Sequence, residues 1–309
     1  MKVDFSKRPK KKLLAAVFFI TLFAFFTAMM SGGIKYISDE ISIETIILWN
    51  YIVGVFFAVL WIFVLSPQKK GISYLKTAQI KNQAMRSLFR LASLFLFYYS
   101  LRSLAIADAT LFLFTSSIFI PIIAYFWHRI GLHHEMWWGM IVAFIGIGIV
   151  INPGKEIFQF GTLLALLAAV ASAFALLSLR FAHYEEPSDR TLFYNFAIAG
   201  VVAFVISLFS FETNWLSLDP HHFFWLISIG LLSLGAQISL TFATKFAPLR
   251  LLSPFMYIAV IFGMLLDWLI WNHQPTVRVY LGCALIIVGN ILMLLLYPKD
   301  DLQIRKPKH

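Results

Sequence analysis

Apolar residues run along this chain in long unbroken blocks separated by short polar connectors, with neither the two-residue alternation of strands nor the one-sided stripe of soluble helices. Ten blocks stand out, at about 13–35, 44–65, 86–104, 107–127, 136–152, 159–180, 191–210, 221–244, 250–272 and 277–297. A helix needs about 20 such residues to cross the roughly 30 Å hydrocarbon layer of a bilayer. The pattern therefore predicts an all-α integral membrane protein of ten transmembrane helices, with little chain left over for a soluble domain. Composition agrees: 60% of the residues are hydrophobic, 17% aromatic and 13% charged, against about a quarter charged in soluble domains.

Net charge is +10, and its placement matters more than its size. Basic runs sit in the tails, 1–12 ("KRPKKK", Lys7 to Lys12) and 298–309 ("KPKH"). With both termini in the cytoplasm, cytoplasmic segments hold 20 Lys and Arg, external loops hold four (Lys35, Arg102, Lys155, Arg278), and Arg90 lies within a span. That asymmetry predicts a multi-pass protein of the cytoplasmic (inner) membrane with both ends inside. Basic tails of this kind meet lipid headgroups, so membrane lipids are expected partners and nucleic acid is not. The first apolar run, Leu13 to Ile34, is longer than the h-region of a signal peptide and reads as a retained helix. Cys283 is the single cysteine, which excludes a disulfide within the chain. No phosphate-cradling Gly-rich loop occurs, so ATP is not expected to drive the protein directly, and neither cofactor nor metal is expected.

Shifting the chain along itself by 142 residues lays "YSLRSLA", ending at Ala105, on "TFATKFA", ending at Ala247, and Pro121 on Gly263. At 143, Gly139 and Gly146 fall on Gly282 and Gly289; at 145, Lys35 falls on Arg180. The chain thus divides into two five-helix repeats, 13–152 and 157–297, joined at "NPGKE". Five is odd, so the repeats are inverted, and loop charges reverse with them: external Asp108 matches internal Arg250, and the basic loop of Lys69, Lys70, Lys76 and Lys81 matches one around Glu212 and Asp219 without Lys or Arg. Inverted repeats accompany alternating-access carriers whose site lies where the halves meet.

The segments "PLRLLSPFMYIAVIFGMLLDWLIW" and "YLGCALIIVGNILMLLL", with their partners "ADATLFLFTSSIFIPIIAYFW" and "WWGMIVAFIGIGIVI", resemble the paired EamA repeats of the drug/metabolite transporter (DMT) superfamily. The resemblance spans nearly the whole chain and implies a secondary active transporter for a small organic metabolite, amino-acid-like or nucleoside-like, with helices 5 and 10 peripheral. Within the superfamily the chain is similar in character to carriers of S-adenosylmethionine. It departs where the family often places a Glu after the fourth and ninth helices: Glu135 comes late, and "NHQPT" supplies His273 and Gln274 instead.

Polar residues inside the apolar blocks form stripes: Ser253, Tyr257, Met264 and Asp267 in helix 9; Thr110, Ser117, Pro121 and Tyr125 in helix 4; Ser233, Gln237, Thr241 and Thr244 in helix 8; Arg90, Ser93, Phe97 and Ser100 in helix 3. Lipid cannot satisfy these groups, so the stripes are expected to face one another around a cavity lined mainly by helices 1, 3, 4, 6, 8 and 9. The expected lining residues are Tyr98, Ser117, Gln237, Tyr257 and Asp267, with Arg90 meeting an anionic substrate group. Isolated Ser and Thr can instead tie helices together. Glycines seven apart make smooth strips for helix packing, and Pro121 and Pro254 mark kinks or flex points. Asp267 is open to three readings: contact with nearby water, pairing with Lys35 or Arg90, or titration with a coupling proton. The expectation is a place on the outer half of the substrate pathway, recognising a cation or proton. The histidines of "HRIGLHHE" (from His128) and His221–His222 fall on opposite sides of the membrane, which excludes a shared di-metal site. A membrane-embedded enzyme acting on a lipid-linked group is the competing class; it needs paired acid, base or nucleophile groups at one depth, and Asp267 and Arg90 are the only strongly charged embedded candidates.

Overall fold

The computed structural model describes residues 10–65, 71–128, 136–151, 160–182, 187–209, 219–246, 252 and 255–295. Among them the chain is helical: α1 (Lys10–Ile37), α2 (Ile43–Leu60, continued to Leu65 by a π-helical turn), α3 (Ile80–Leu101), α4 (Ile106–Phe114), α5 (Ser116–His128), α6 (Met136–Ile151), α7 (Phe160–Ala182), α8 (Ser188–Phe209), α9 (Pro220–Phe246), α10 (Ile258–Trp271) and α11 (Val277–Leu295). α4 and α5 together make the fourth span, so these are ten spans at the predicted places. Five helical segments are long and apolar enough to cross a bilayer on their own composition: 14–37, 43–64, 160–178, 188–209 and 220–246.

Local chemistry sets several ends. Ser42 caps α2, accepting from Thr45 N at 3.4 Å, with Glu44 in the first turn where the helix dipole favours it. Asn272 ends α10 in the left-handed region at φ 51° and returns its N–H to the Asp267 carbonyl, a role Asn fills more readily than most side chains.

The helices pair across the two repeats. α1 lies along α9 as α3 lies along α7, and α1 also meets α10 as α7 meets α4 and α5. α2 packs on α8, and α6 on α11, each pair joining equivalent helices of the two repeats. The α6–α11 seam shows the inversion directly: a Cβ added to Gly146 would sit 2.9 Å from Gly282 O, and one added to Gly289 would sit 2.6 Å from Gly139 O. One helix climbs as the other descends, and each repeat-related glycine meets its partner's counterpart. Only hydrogen side chains permit that backbone approach, and in lipid such close packing is what holds helices together.

The fourth and ninth spans share a further feature. Thr115, at φ −62° and ψ −10°, interrupts α4 and α5; Tyr257, 142 residues later, precedes α10 at φ −67° and ψ −10°. Both turns tighten in the same way, Ile118 N reaching Thr115 O at 2.8 Å and Val260 N reaching Tyr257 O at 3.0 Å. Such a 3₁₀ turn within a helix is a natural hinge. Pro121, expected as a flex point, lies within α5 beyond this turn, and Pro254 lies outside the described residues.

Candidate functional site

A cavity forms where the repeats interdigitate, walled by Phe23, Thr27 and Met30 of α1, Arg86, Arg90, Ser93 and Phe97 of α3, Phe114 of α4, Ser172 and Ala175 of α7, Gln237 of α9, and Met256. Several of these are repeat mates: Thr27 and Ser172, like Met30 and Ala175, stand 145 apart, and Phe114 and Met256 stand 142 apart. Its space is about 50 Å³, enough for a few waters and well below the roughly 300 Å³ of a small-molecule pocket. This conformation is a constricted one.

The polar content of the walls is uneven. Arg86 and Arg90, one turn apart on α3, face the cavity, and among the described residues its lining includes no Asp or Glu. Arg86 is 4% exposed, with Nη1 3.4 Å from Thr191 O of α8. With the Gln237 amide turned so that its oxygen meets the guanidinium, that oxygen accepts from Arg90 Nε at 3.1 Å and Nη2 at 2.8 Å. Gln237 thus holds Arg90 across the cavity without neutralising it. Two like charges sharing a poorly solvated wall repel, and an anion between them relieves the repulsion.

Tyr257 follows the wall residue Met256 in the chain and meets the ring of Phe114, another wall residue, with centroids 6.1 Å apart, but neither it nor Ser117 is itself among the wall residues. The Tyr257 hydroxyl donates to Phe114 O at 2.9 Å and lies 3.3 Å from Ser117 Oγ, which itself donates to Phe114 O at 3.0 Å. That carbonyl lacks its usual helical donor because Ile118 N has turned to Thr115 O, so the side chain of one tightened turn satisfies a carbonyl released by the other.

Arg90 and Gln237 therefore meet as wall residues, and Tyr257 and Ser117 as a pair at the adjoining turns. Tyr98 lies elsewhere: fully buried, its hydroxyl accepts from Asn50 Nδ2 at 2.7 Å and reaches Met30 Sδ at 3.6 Å, tying α3 to α2 and α1. Asp267 is also away from the cavity. At 0% exposure it accepts from Ile106 N at 3.1 Å, Ala107 N at 2.9 Å and Lys35 Nζ at 3.4 Å. It caps the start of α4 from a different helix, and the ammonium of Lys35 also reaches Leu104 O at 3.1 Å and lies 4.9 Å from the Trp271 ring centroid. Of the readings open in the sequence, the pair with Lys35 is the one formed. This network knots α1, α4 and α10 at the end of the bundle where α1 finishes. The repeat mate of Asp267 is Tyr125, so a carboxylate is not repeated at that position. Ser253, His133 and His134 lie outside the described residues.

Sequence reasoning passed over Arg86, Thr27, Met30 and Ser172. A signal for Arg86 was present, since it precedes Arg90 by four residues and shares its helix face.

Ten helical spans in two inverted, interdigitating repeats around a shared cavity define a multi-pass membrane transporter. The chain belongs to the EamA-like transporter family, which it matches over residues 14–152 and 159–295, and which places it in the drug/metabolite transporter superfamily rather than among membrane enzymes. It is 22% identical over 282 residues to the pseudopaline exporter CntI of Pseudomonas aeruginosa, covering 91% of this chain and 96% of that one. It is 25% identical over 299 residues to human solute carrier family 35 member G1, covering 89% and 77%, and 24% identical over 228 residues to the S-adenosylmethionine uptake transporter of Rickettsia bellii, covering 72% and 76%. A solved crystal structure aligns with a TM-score of 0.60 at 18% identity over 90% of this chain and 96% of that one, a likeness of fold.

Proposed function

We propose that the protein is a secondary active carrier of a small, carboxylate-bearing organic metabolite, working by alternating access in the cytoplasmic membrane with both termini inside. The observation that carries the substrate class is the pair Arg86 and Arg90 in a cavity whose described lining holds no acid, with Arg90 oriented by Gln237. A guanidinium recognises a carboxylate through two parallel hydrogen bonds, while Phe23, Phe97 and Phe114 offer apolar walls to the rest of the molecule. Relatives named for pseudopaline export and S-adenosylmethionine uptake are compatible with a metabolite of amino-acid-like character.

On this reading the tightened turns at Thr115 and Tyr257 are the hinges, and the Lys35–Asp267 knot closes the outer end in the constricted state. Opening outward requires its release.

The test is a thermal-shift screen of the detergent-purified protein against amino acids, dicarboxylates and nucleosides, since a ligand of the native state raises its stability. The reading expects carboxylates among the stabilising compounds and loss of that stabilisation in Arg90→Ala. Stabilisation by neutral or cationic compounds alone, retained in Arg90→Ala, refutes the carboxylate assignment.

A further inference from the structure

At the end of the bundle where α1 finishes, Glu40 from the α1–α2 connector meets His221 and His222 from the first turn of α9. One donor atom from each side chain can be chosen so that all lie within 4.8 Å of one another. His222 Nε2 is 2.7 Å from Glu40 Oε2, and the carboxylate is 60% exposed. Glu40 belongs to the first repeat and the histidines to the second. We propose that these three side chains form a Zn²⁺-class metal site bridging the two repeats. It is separate from the substrate cavity and independent of what the carrier moves.

The donor chemistry fits. Two imidazoles and a carboxylate, with water in the fourth position, are a common set for zinc. At zinc bond lengths of about 2.0–2.2 Å, tetrahedral donors stand roughly 3.3–3.6 Å apart, so side-chain torsions alone bring these three into range. Trp225 Nε1 donates to His221 Nε2 at 3.2 Å, which places a lone pair on that nitrogen; a metal would take over that lone pair from the indole N–H. Nearby acids favour a cation: Asp39 adjoins Glu40, and Asp219 stands two residues before His221.

The scaffold is already assembled. Trp225 meets Tyr36 at a tilt of 36° with centroids 5.0 Å apart, and Phe223 meets Trp49 edge-on at 5.2 Å. Gly33 of α1 lets α9 approach, since a Cβ there would lie 3.2 Å from Ile229 and 3.5 Å from Trp225. The end of α1 and the start of α9 are thus docked before any ion arrives, and little ordering remains to oppose binding. An ion held by both repeats would resist their separation at this end.

Isothermal titration of ZnCl₂ into tag-free protein tests the site, alongside Glu40→Gln, His222→Ala and, as a control outside the cluster, His273→Ala. We expect one site per chain in the parent and in His273→Ala, weakened at least tenfold in Glu40→Gln and in His222→Ala, with a zinc-dependent rise in melting temperature lost in the same two variants. Metal-free melting checks that each variant is folded; both substitutions are at the bundle rim. Absence of binding in the parent, or affinity unchanged in folded Glu40→Gln and His222→Ala, overturns the proposal.

Discussion

Asp267→Asn keeps the volume of the side chain and removes its charge, so it isolates what the carboxylate does at the start of α4. Three donors converge on Asp267: Ile106 N at 3.1 Å, Ala107 N at 2.9 Å and Lys35 Nζ at 3.4 Å. An amide offers one oxygen, so its NH₂ must face one of the two backbone N–H groups. At 0% exposure no water replaces the lost acceptor, and an unsatisfied buried donor costs about 1–3 kcal/mol. Loss of the ion pair adds less, because Lys35 is 19% exposed and keeps Leu104 O; a partly solvated pair of this kind is worth up to about 1 kcal/mol. The expected destabilisation is about 1–4 kcal/mol, measured by denaturant or thermal unfolding in detergent. A double-mutant cycle with Lys35→Met should show a coupling of at least about 0.5 kcal/mol, as for residues in direct contact. Stability within about 0.5 kcal/mol of the parent, together with zero coupling, would refute the cap-and-pair assignment.

At the α6–α11 seam, Gly289→Ala and Gly146→Ala should each destabilise by about 1–3 kcal/mol, because the new methyl meets backbone at 2.6 Å or 2.9 Å; Gly148→Ala, with nothing within 4 Å, should be neutral or slightly stabilising, and equal melting of all three would argue against the seam. Tyr257→Phe removes the donor to the Phe114 carbonyl while Ser117 Oγ remains, so a cost of about 0.5–1.5 kcal/mol is expected, and an unchanged melting curve would deny the tyrosine that role. For topology, an impermeant thiol reagent applied from outside should label Ser217→Cys and spare Ser73→Cys; the reverse pattern would invert the orientation.

The architecture was legible because lipid imposes it: only uninterrupted helices satisfy their own backbone in hydrocarbon, and the apolar blocks announce them. Glycines seven apart likewise marked strips for close helix packing, though that helices 5 and 10 pack on each other is seen only in the structure. The site was legible in part. Arg90 and Gln237 were each visible as polar residues in apolar helices, but nothing local says that they meet, because the pairing depends on how α3 and α9 rotate against α7 and α1. Tyr98 carries the same local signal as Tyr257, yet Asn50 engages its hydroxyl and Phe114 O receives that of Tyr257. The turn at Thr115 has no proline within it to announce it, and Pro254, marked as a kink or flex point, stands three residues before the turn at Tyr257; each turn is closed by a local hydrogen bond, and the Tyr257 hydroxyl joins the two. Asp267 reads as a functional carboxylate until the start of α4 is seen beneath it.

The most direct test of the central claim is initial-rate uptake into proteoliposomes of a carboxylate found to stabilise the protein, comparing the parent with Arg90→Gln. A two-point charge-assisted contact is worth about 1.5–3 kcal/mol per hydrogen bond to a charged group, so removing the guanidinium should lower kcat/KM at least tenfold while the transported compound emerges chemically unchanged. Equal kinetics in parent and folded Arg90→Gln would place the substrate pathway outside this cavity.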